Sequence, residues 1–405
     1  MKKQTIGVKE LFAMIVLFEL GSALLFSLGA DAKQDAWLAV LAGLIAGILI
    51  AGFYLYLYRY SNQQTLTVFL KTAFGKYAGW ILGFFYIIYF IYIASRIFRD
   101  FITLITMVAY EDTSYLTIAI PITLCVMYAA YKGIEVFSRF SMIIFYIVMT
   151  FLLLIFILEM ASGLTEFKNL QPVMENGPLP VLKAAYPMLE TFPYGELIVF
   201  LMIFPYVKKS EKMTKPVLKA VLIGGMILLI FTFMNLLILG ADVYSRSSFP
   251  LLTTVSYINI GEFIQRLESM VLIIMVLLGF VKIHLFSYAA ILGSSDLFNI
   301  PKNKLIYPVT LLILISSIMI ASNNSEHLKE GLKTVPFLVH FPFRSTSLSH
   351  CLRQPGCGRR CPLRSPADLS IEVKNKRKKV NQQENIIFTG RHLQKHFLGY
   401  NQFSQ

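Results

Sequence analysis

Charge is scarce in this chain. Only 15% of its 405 residues are Asp, Glu, Lys or Arg, against 56% hydrophobic, where soluble domains carry about 25% charged and about 45–50% apolar residues. The imbalance excludes an ordinary soluble domain, because the surplus apolar surface has to face lipid. Cysteine is equally sparse. Cys125 stands alone in an apolar stretch, where a small core residue is the plain reading. His350, Cys351, Cys357 and Cys361 have Cys-x5-Cys-x3-Cys spacing and lack the paired Cys-x2-Cys of a structural zinc site, so no metal is expected. Missing too are a G-x-x-x-x-G-K-[ST] phosphate loop, an H-E-x-x-H pair and a G-x-S-x-G elbow. An enzymatic reading therefore has no catalytic residue to stand on, and no cofactor is implied. Met1-Lys2-Lys3 precedes an apolar run without a small-residue cleavage site before the next span, so the first helix is expected to be retained.

What is abundant is apolar sequence in stretches of about 20 residues, the length that crosses a roughly 30 Å hydrocarbon core. They fall near 8–29, 36–57, 80–109, 115–131, 137–159, 181–206, 216–240, 267–292 and 305–321, which predicts an all-α polytopic membrane protein. Counting Lys and Arg on alternate sides gives fifteen on the side of the N-terminus and seven on the other, so the N-terminus is expected in the cytoplasm. Residues 65–77 suit a helix lying on that inner surface: Leu66, Phe69, Leu70, Ala73 and Phe74 recur at helical spacing beside Lys71 and Lys76.

The formal charge of +14 is mostly a property of the tail. Residues 1–343 hold 25 basic and 20 acidic residues, whereas residues 344–405 hold 12 and 3. Inner-loop positive charge accounts for the body, and no nucleic-acid partner is needed. After Phe343 the chain turns abruptly to Ser, Arg, Pro and Cys with no span left. The division expected is a transmembrane domain over 1–343 and a basic, disordered or frameshifted tail over 344–405 that has cost the protein a tenth helix.

Ionisable and helix-breaking residues inside spans point to function, since a central charge costs about 2.5–3.5 kcal/mol on insertion. In the first span Phe18-Glu19-Leu20-Gly21-Ser22-Ala23 places an acid and a small-residue run at mid-depth. In the sixth, Tyr186-Pro187-Met188-Leu189-Glu190-Thr191-Phe192-Pro193-Tyr194-Gly195-Glu196 places two prolines, a glycine and two acids there. Proline removes an N–H and displaces the carbonyl four residues back, so Pro187 and Pro193 should free the Lys183 and Leu189 carbonyls and interrupt the helix. Two interrupted spans five helices apart mark an inverted-repeat transporter with its site at the midplane. A half-helix starting near Gly195 would favour a carboxylate, while freed carbonyls with Glu190 or Glu19 would take an ammonium, a combination that fits an amino acid. The alternative is a packed, merely kinked helix. Arg96 and Asp100 lie four apart on one face of the third span, where an internal ion pair competes with ligand contact. Lys282 and His284 of the eighth span either stand in for a coupling cation, relay a proton, serve a structural role, or snorkel toward the inner surface.

The opening Lys9-Glu10-Leu11-Phe12 through Ala23, the run Gly29-Ala30-Asp31-Ala32-Lys33-Gln34-Asp35-Ala36-Trp37, the Pro187–Glu196 stretch and Pro205-Tyr206-Val207 resemble the B subunits of GerA-type spore germinant receptors over about residues 5–343. The resemblance implies a LeuT-like 5+5 inverted-repeat bundle of the amino acid–polyamine–organocation superfamily, with spans one and six discontinuous, in the inner membrane of a bacterial endospore. It further implies that a small-molecule germinant, an amino acid foremost, is sensed together with an A subunit and a lipoprotein C subunit. Transferred to this chain, the pocket draws on Gly21, Ser22, Ala23, Glu190, Thr191, Phe192, Pro193, Tyr194 and Gly195; the charges read from the spans themselves, Glu19, Arg96, Asp100, Glu196 and Lys282, are candidate supports. A secondary amino-acid transporter is the competing reading.

Overall fold

The computed structural model describes residues 4–110, 112–208, 210–258 and 267–320. The tail beyond Phe343, the expected loss of a tenth span and the His350–Cys361 group lie outside the described residues.

Eleven α-helices follow one another among the described residues: α1 (Val8–Ala23), α2 (Ala36–Tyr60), α3 (Leu66–Phe74), α4 (Lys76–Val108), α5 (Tyr115–Lys132), α6 (Ile134–Ala161), α7 (Pro178–Ala184), α8 (Thr214–Arg246), α9 (Pro250–Ser256), α10 (Leu267–Phe298) and α11 (Lys302–Met319). Seven of the described helices are long and apolar enough to cross a membrane: those built on α2, α4, α5, α6, α8, α10 and α11. The two expected spans left out of that set are the first and the sixth. Their omission has a local cause in each case. Helix α1 has 16 residues, about 24 Å of rise, short of the hydrocarbon thickness. It stops at Ala23, and the chain goes on through turns to a 3-10 segment at Ala30–Asp35. The sixth span is broken into α7, a π turn at Ala185–Leu189 in which Tyr186 leaves helical geometry (φ −118°, ψ 132°), and a 3-10 helix over Tyr194–Met202.

Helices α4 and α10 pack along each other in the middle of the bundle, and α1 lies against α6, α8 and α10. The outward faces of α2, α5, α6 and α11 carry large exposed apolar side chains such as Leu49, Leu124, Leu153 and Met319, which in a membrane is the lipid-facing surface. Cys125, expected in the core, is exposed on that surface; a small apolar side chain is as well solvated by acyl chains as by a protein interior. Gly133, with φ +85°, joins α5 to α6 through a single residue, a left-handed turn that favours glycine.

Contacts at one end of the bundle gather the segments expected to share a side. Ile6 donates its N–H to Tyr206 O (2.8 Å) and accepts from Lys208 N–H (2.8 Å). Thr5 N–H donates to Glu135 Oε2 (3.1 Å), and Arg59 Nη2 to Thr214 Oγ1 (2.6 Å). The surface helix expected over 65–77 is α3, with Leu66, Phe69 and Leu70 buried. It is tied to the end of α10 by Asp296, whose Oδ2 accepts from Thr65 Oγ1 (2.7 Å) and Thr67 Oγ1 (2.8 Å), while Lys71 Nζ donates to the Asp296 carbonyl (2.6 Å).

Candidate ligand-binding site

The end of α1 and the break in the sixth span are brought together, and a lysine from α10 joins them. Lys282 is wholly buried, with its Nζ 2.6 Å from Glu196 Oε2 and donating to Ser22 Oγ at 2.8 Å. The ammonium also lies over the rings of Phe192 (4.8 Å to the centroid) and Phe18 (5.0 Å). A charge in this setting is stabilised by a carboxylate, a hydroxyl and two aromatic faces together. Gly21 makes the arrangement possible: a Cβ there would sit 2.6 Å from Lys282 Cδ, so the lysine stem passes through the space a side chain would fill. Of the readings open for Lys282, snorkelling toward the surface is the one this placement removes. His284 points elsewhere, as residues two apart on a helix must; its ring is stacked on Phe137 at 3.8 Å.

The other face of α1 meets α8. Glu19 is fully buried, and both of its carboxylate oxygens lack a hydrogen-bond partner among the described residues. Its Oε2 occupies the place a side chain at Gly224 would take. The Tyr194 hydroxyl, also buried and without a hydrogen-bond partner among the described residues, shares the corresponding place at the next residue with Leu44 Cδ1 and lies 2.6 Å from where Gly225 would carry a Cβ. The glycine pair on α8 thus seats an acid from the first span beside a phenol from the sixth.

Side chains reach several backbone carbonyls around the break. Thr191 Oγ1 lies 2.8 Å from Pro187 O and 2.9 Å from Met188 O, and Tyr54 Oη donates to Gly195 O at 2.9 Å. The single Thr191 O–H serves one of the first two carbonyls at a time, and Met188 O also accepts from Phe192 N–H at 2.8 Å. The second half of the span begins at Tyr194 as expected near Gly195, but it is a nine-residue 3-10 helix. Runs of that length are uncommon and mark hinges or strained sequence.

Among the remaining expected residues, Ala23 and Pro193 are buried at the two breaks, while Glu190 and Phe192 are partly exposed. In the third span, Arg96 lies over the Tyr92 ring of its own helix (5.8 Å), its Nη1 donating to Tyr92 Oη at 3.4 Å; Asp100, one turn further on, is partly exposed. Neighbouring Arg99 ties α4 to α11, its Nη1 donating to Ser317 O and Ile318 O, both at 3.1 Å. A guanidinium there meets the orphan carbonyls and the negative end of the α11 dipole. Phe18, Tyr54 and the Gly224–Gly225 pair were not singled out by sequence reasoning. The glycine doublet inside an apolar span was the visible signal, since adjacent small residues permit close approach.

Known proteins are similar to this chain in sequence and in fold. A family model described as "Spore germination protein" matches residues 5–325. Spore germination protein KB of Bacillus subtilis (strain 168) is 38% identical over 348 residues, covering 85% of this chain and 92% of that protein. Spore germination protein YndE of the same organism is 26% identical over 302 residues, covering 72% and 80%. Among solved structures, MhsT in complex with L-phenylalanine has a similar fold with a TM-score of 0.63 and 13% sequence identity, over 87% of this chain and 88% of that one. That last likeness shows the fold, an all-α LeuT-like bundle, as the family resemblance implied.

Proposed function

The chain belongs to the spore germination protein family, and on that premise we propose that it is the germinant-sensing B subunit of a spore germinant receptor. The reading places it in the inner membrane of the endospore with its N-terminus cytoplasmic, the side carrying the larger count of Lys and Arg. Its ligand is a small nutrient, an amino acid foremost. A and C subunits complete the receptor. On this reading the transporter-like domain is residues 1–343, followed by the basic sequence 344–405. No catalytic role is assigned.

The observation that carries this reading is the meeting of two interrupted spans around a charged, aromatic-lined centre at Lys282, Glu196, Ser22 and Phe192. Broken helices at matching places in two repeats are where such folds receive ligand. A receptor uses that site by binding one conformation more tightly than another, which shifts the population its partners detect.

A specific observation also favours a second reading, amino-acid transport by alternating access: the fold is shared with MhsT, solved in complex with L-phenylalanine. One experiment separates the two. The purified full chain is reconstituted in liposomes, and binding and uptake of a labelled amino-acid panel are measured on the same preparation. Saturable binding without accumulation is the receptor result. Saturable uptake that Gly21→Leu abolishes would replace it by the transporter, and absence of binding to every amino acid in the panel would remove the amino acid as ligand.

A further inference from the structure

Three carboxylates lie at the meeting of spans one and six, and they are not equivalent. Glu196 already faces the Lys282 ammonium at 2.6 Å. Glu190 is partly exposed at the edge of the break. Glu19 alone of the three is fully buried with both oxygens lacking a hydrogen-bond partner among the described residues. Buried carboxylates in that condition are rare, because leaving them without a proton, a cation or a donor is costly. The Tyr194 hydroxyl, 2% exposed, is in the same state. The two lie against consecutive glycines of α8, Gly224 and Gly225, where any side chain would displace them.

We propose that Glu19 and Tyr194, seated on the Gly224–Gly225 step of α8, form the subsite that takes a primary ammonium group, that of the germinant. The proposal rests on the receptor reading and specifies one end of its ligand. Donor counting favours this occupant. A primary ammonium has three N–H donors and no acceptor; the subsite offers two carboxylate oxygens and one phenolic oxygen. Of the carbonyls around the break, those of Pro187 and Met188 lie within hydrogen-bonding distance of Thr191 Oγ1, and that of Gly195 accepts from Tyr54 Oη. Lys282 cannot leave Glu196 to fill the role without stranding a second buried acid.

The test uses the full chain in lipid nanodiscs, with methylammonium chloride as the bare cationic probe and thermal stabilisation as the readout. In parallel, the amino-acid panel is compared with the matching carboxylic acids that lack the amine. Wild type should be stabilised by methylammonium and by at least one amino acid, but not by its deaminated counterpart. Glu19→Gln should weaken that binding by about thirtyfold or more, the cost of removing one partner of a buried charge pair. Tyr194→Phe should weaken it less, and Gly224→Ala, which pushes Glu19 from its seat, should resemble Glu19→Gln. If Glu19→Gln does not fold, the other two variants carry the comparison.

The outcomes separate cleanly. Amino-acid binding that Glu19→Gln, Tyr194→Phe and Gly224→Ala leave unchanged sinks the subsite while the receptor reading stands. Glu19-dependent binding of methylammonium without binding of any amino acid keeps the subsite and removes the amino acid as germinant. Sodium chloride producing the same Glu19-dependent stabilisation as methylammonium would assign the site to an inorganic ion and overturn the ammonium proposal, as would a wild type indifferent to methylammonium and to every amino acid.

Discussion

Replacing Lys282 by methionine keeps a stem of similar length over Gly21 and removes only the ammonium. What that leaves behind sets the magnitude. The Lys282–Glu196 pair is 2.6 Å apart with side chains 0% and 3% exposed, so the abandoned carboxylate has no water to turn to. Breaking a buried pair from one side costs about 3–5 kcal/mol; Ser22 loses a donor as well, and two rings lose a cation worth roughly 0.5–2 kcal/mol. Taking about 2–4 °C per kcal/mol for a chain of moderate size, the melting temperature of the detergent-solubilised protein should fall on the order of 10 °C. The double variant Lys282→Met with Glu196→Met should recover most of that loss, since apolar replacement of both partners of a buried pair is often neutral. The double-mutant cycle should then yield a coupling of about 2 kcal/mol or more. A Lys282→Met protein that melts with wild type, or a double variant no more stable than the single one, would refute the idea that this pair holds the two broken spans together.

Other consequences are more local. Gly21→Leu puts a branched side chain where the Lys282 stem runs, 2.6 Å from the first added carbon; overpacking of this kind costs about 1–3 kcal/mol, and the protein should still reach the membrane while losing ligand binding in the liposome assay. Asp296→Ala removes the acceptor shared by Thr65 and Thr67 but leaves the Lys71 bond, which goes to the backbone; a loss of roughly 2 kcal/mol should appear as faster hydrogen exchange confined to Leu66–Phe74, and unchanged exchange there would show that α3 is held by its apolar face alone. Arg99→Met uncovers the Ser317 and Ile318 carbonyls; discounted for partial exposure, about 1–2 kcal/mol is expected, read as fraying at the end of α11.

The parts of this protein that were legible in its sequence are those governed by short-range rules. Span positions follow from runs of apolar residues, α3 from a 3.6-residue pattern, and the break in the sixth span from Pro187 and Pro193, each of which denies its helix a bond whatever surrounds it. The partner that completes the site was only half legible. Lys282 stands out as a buried charge in an apolar helix, yet its reach to Ser22 spans 260 positions of chain, a contact fixed by how α10 crosses α1 and not by either local pattern. Thr191 was legible as a residue at the break, and the place of its hydroxyl, within hydrogen-bonding distance of carbonyls three and four residues back, follows a local habit of Ser and Thr side chains in helices. Cys125 was misplaced because an apolar position in a span reads the same whether it faces protein or lipid.

The two interrupted spans are joined at two depths, and this constrains how a bound ligand could be felt elsewhere. At the break, Lys282 bridges Ser22 of the first span and Glu196 of the sixth. At the end of the bundle, Ile6 just before α1 is paired on both sides of its peptide with Tyr206 and Lys208, just after the sixth span. The segments between these ties, the body of α1 and the 3-10 helix Tyr194–Met202, therefore shift together or lose two sets of buried polar contacts. Helix α10 adds a third element to the same unit: fourteen residues, about 21 Å of rise, separate Lys282 from Asp296, where α3 is anchored. A ligand that altered the Lys282 cluster would thus act on one end of a helix whose far end holds the surface helix, a contiguous path of the kind coupling between distant sites travels.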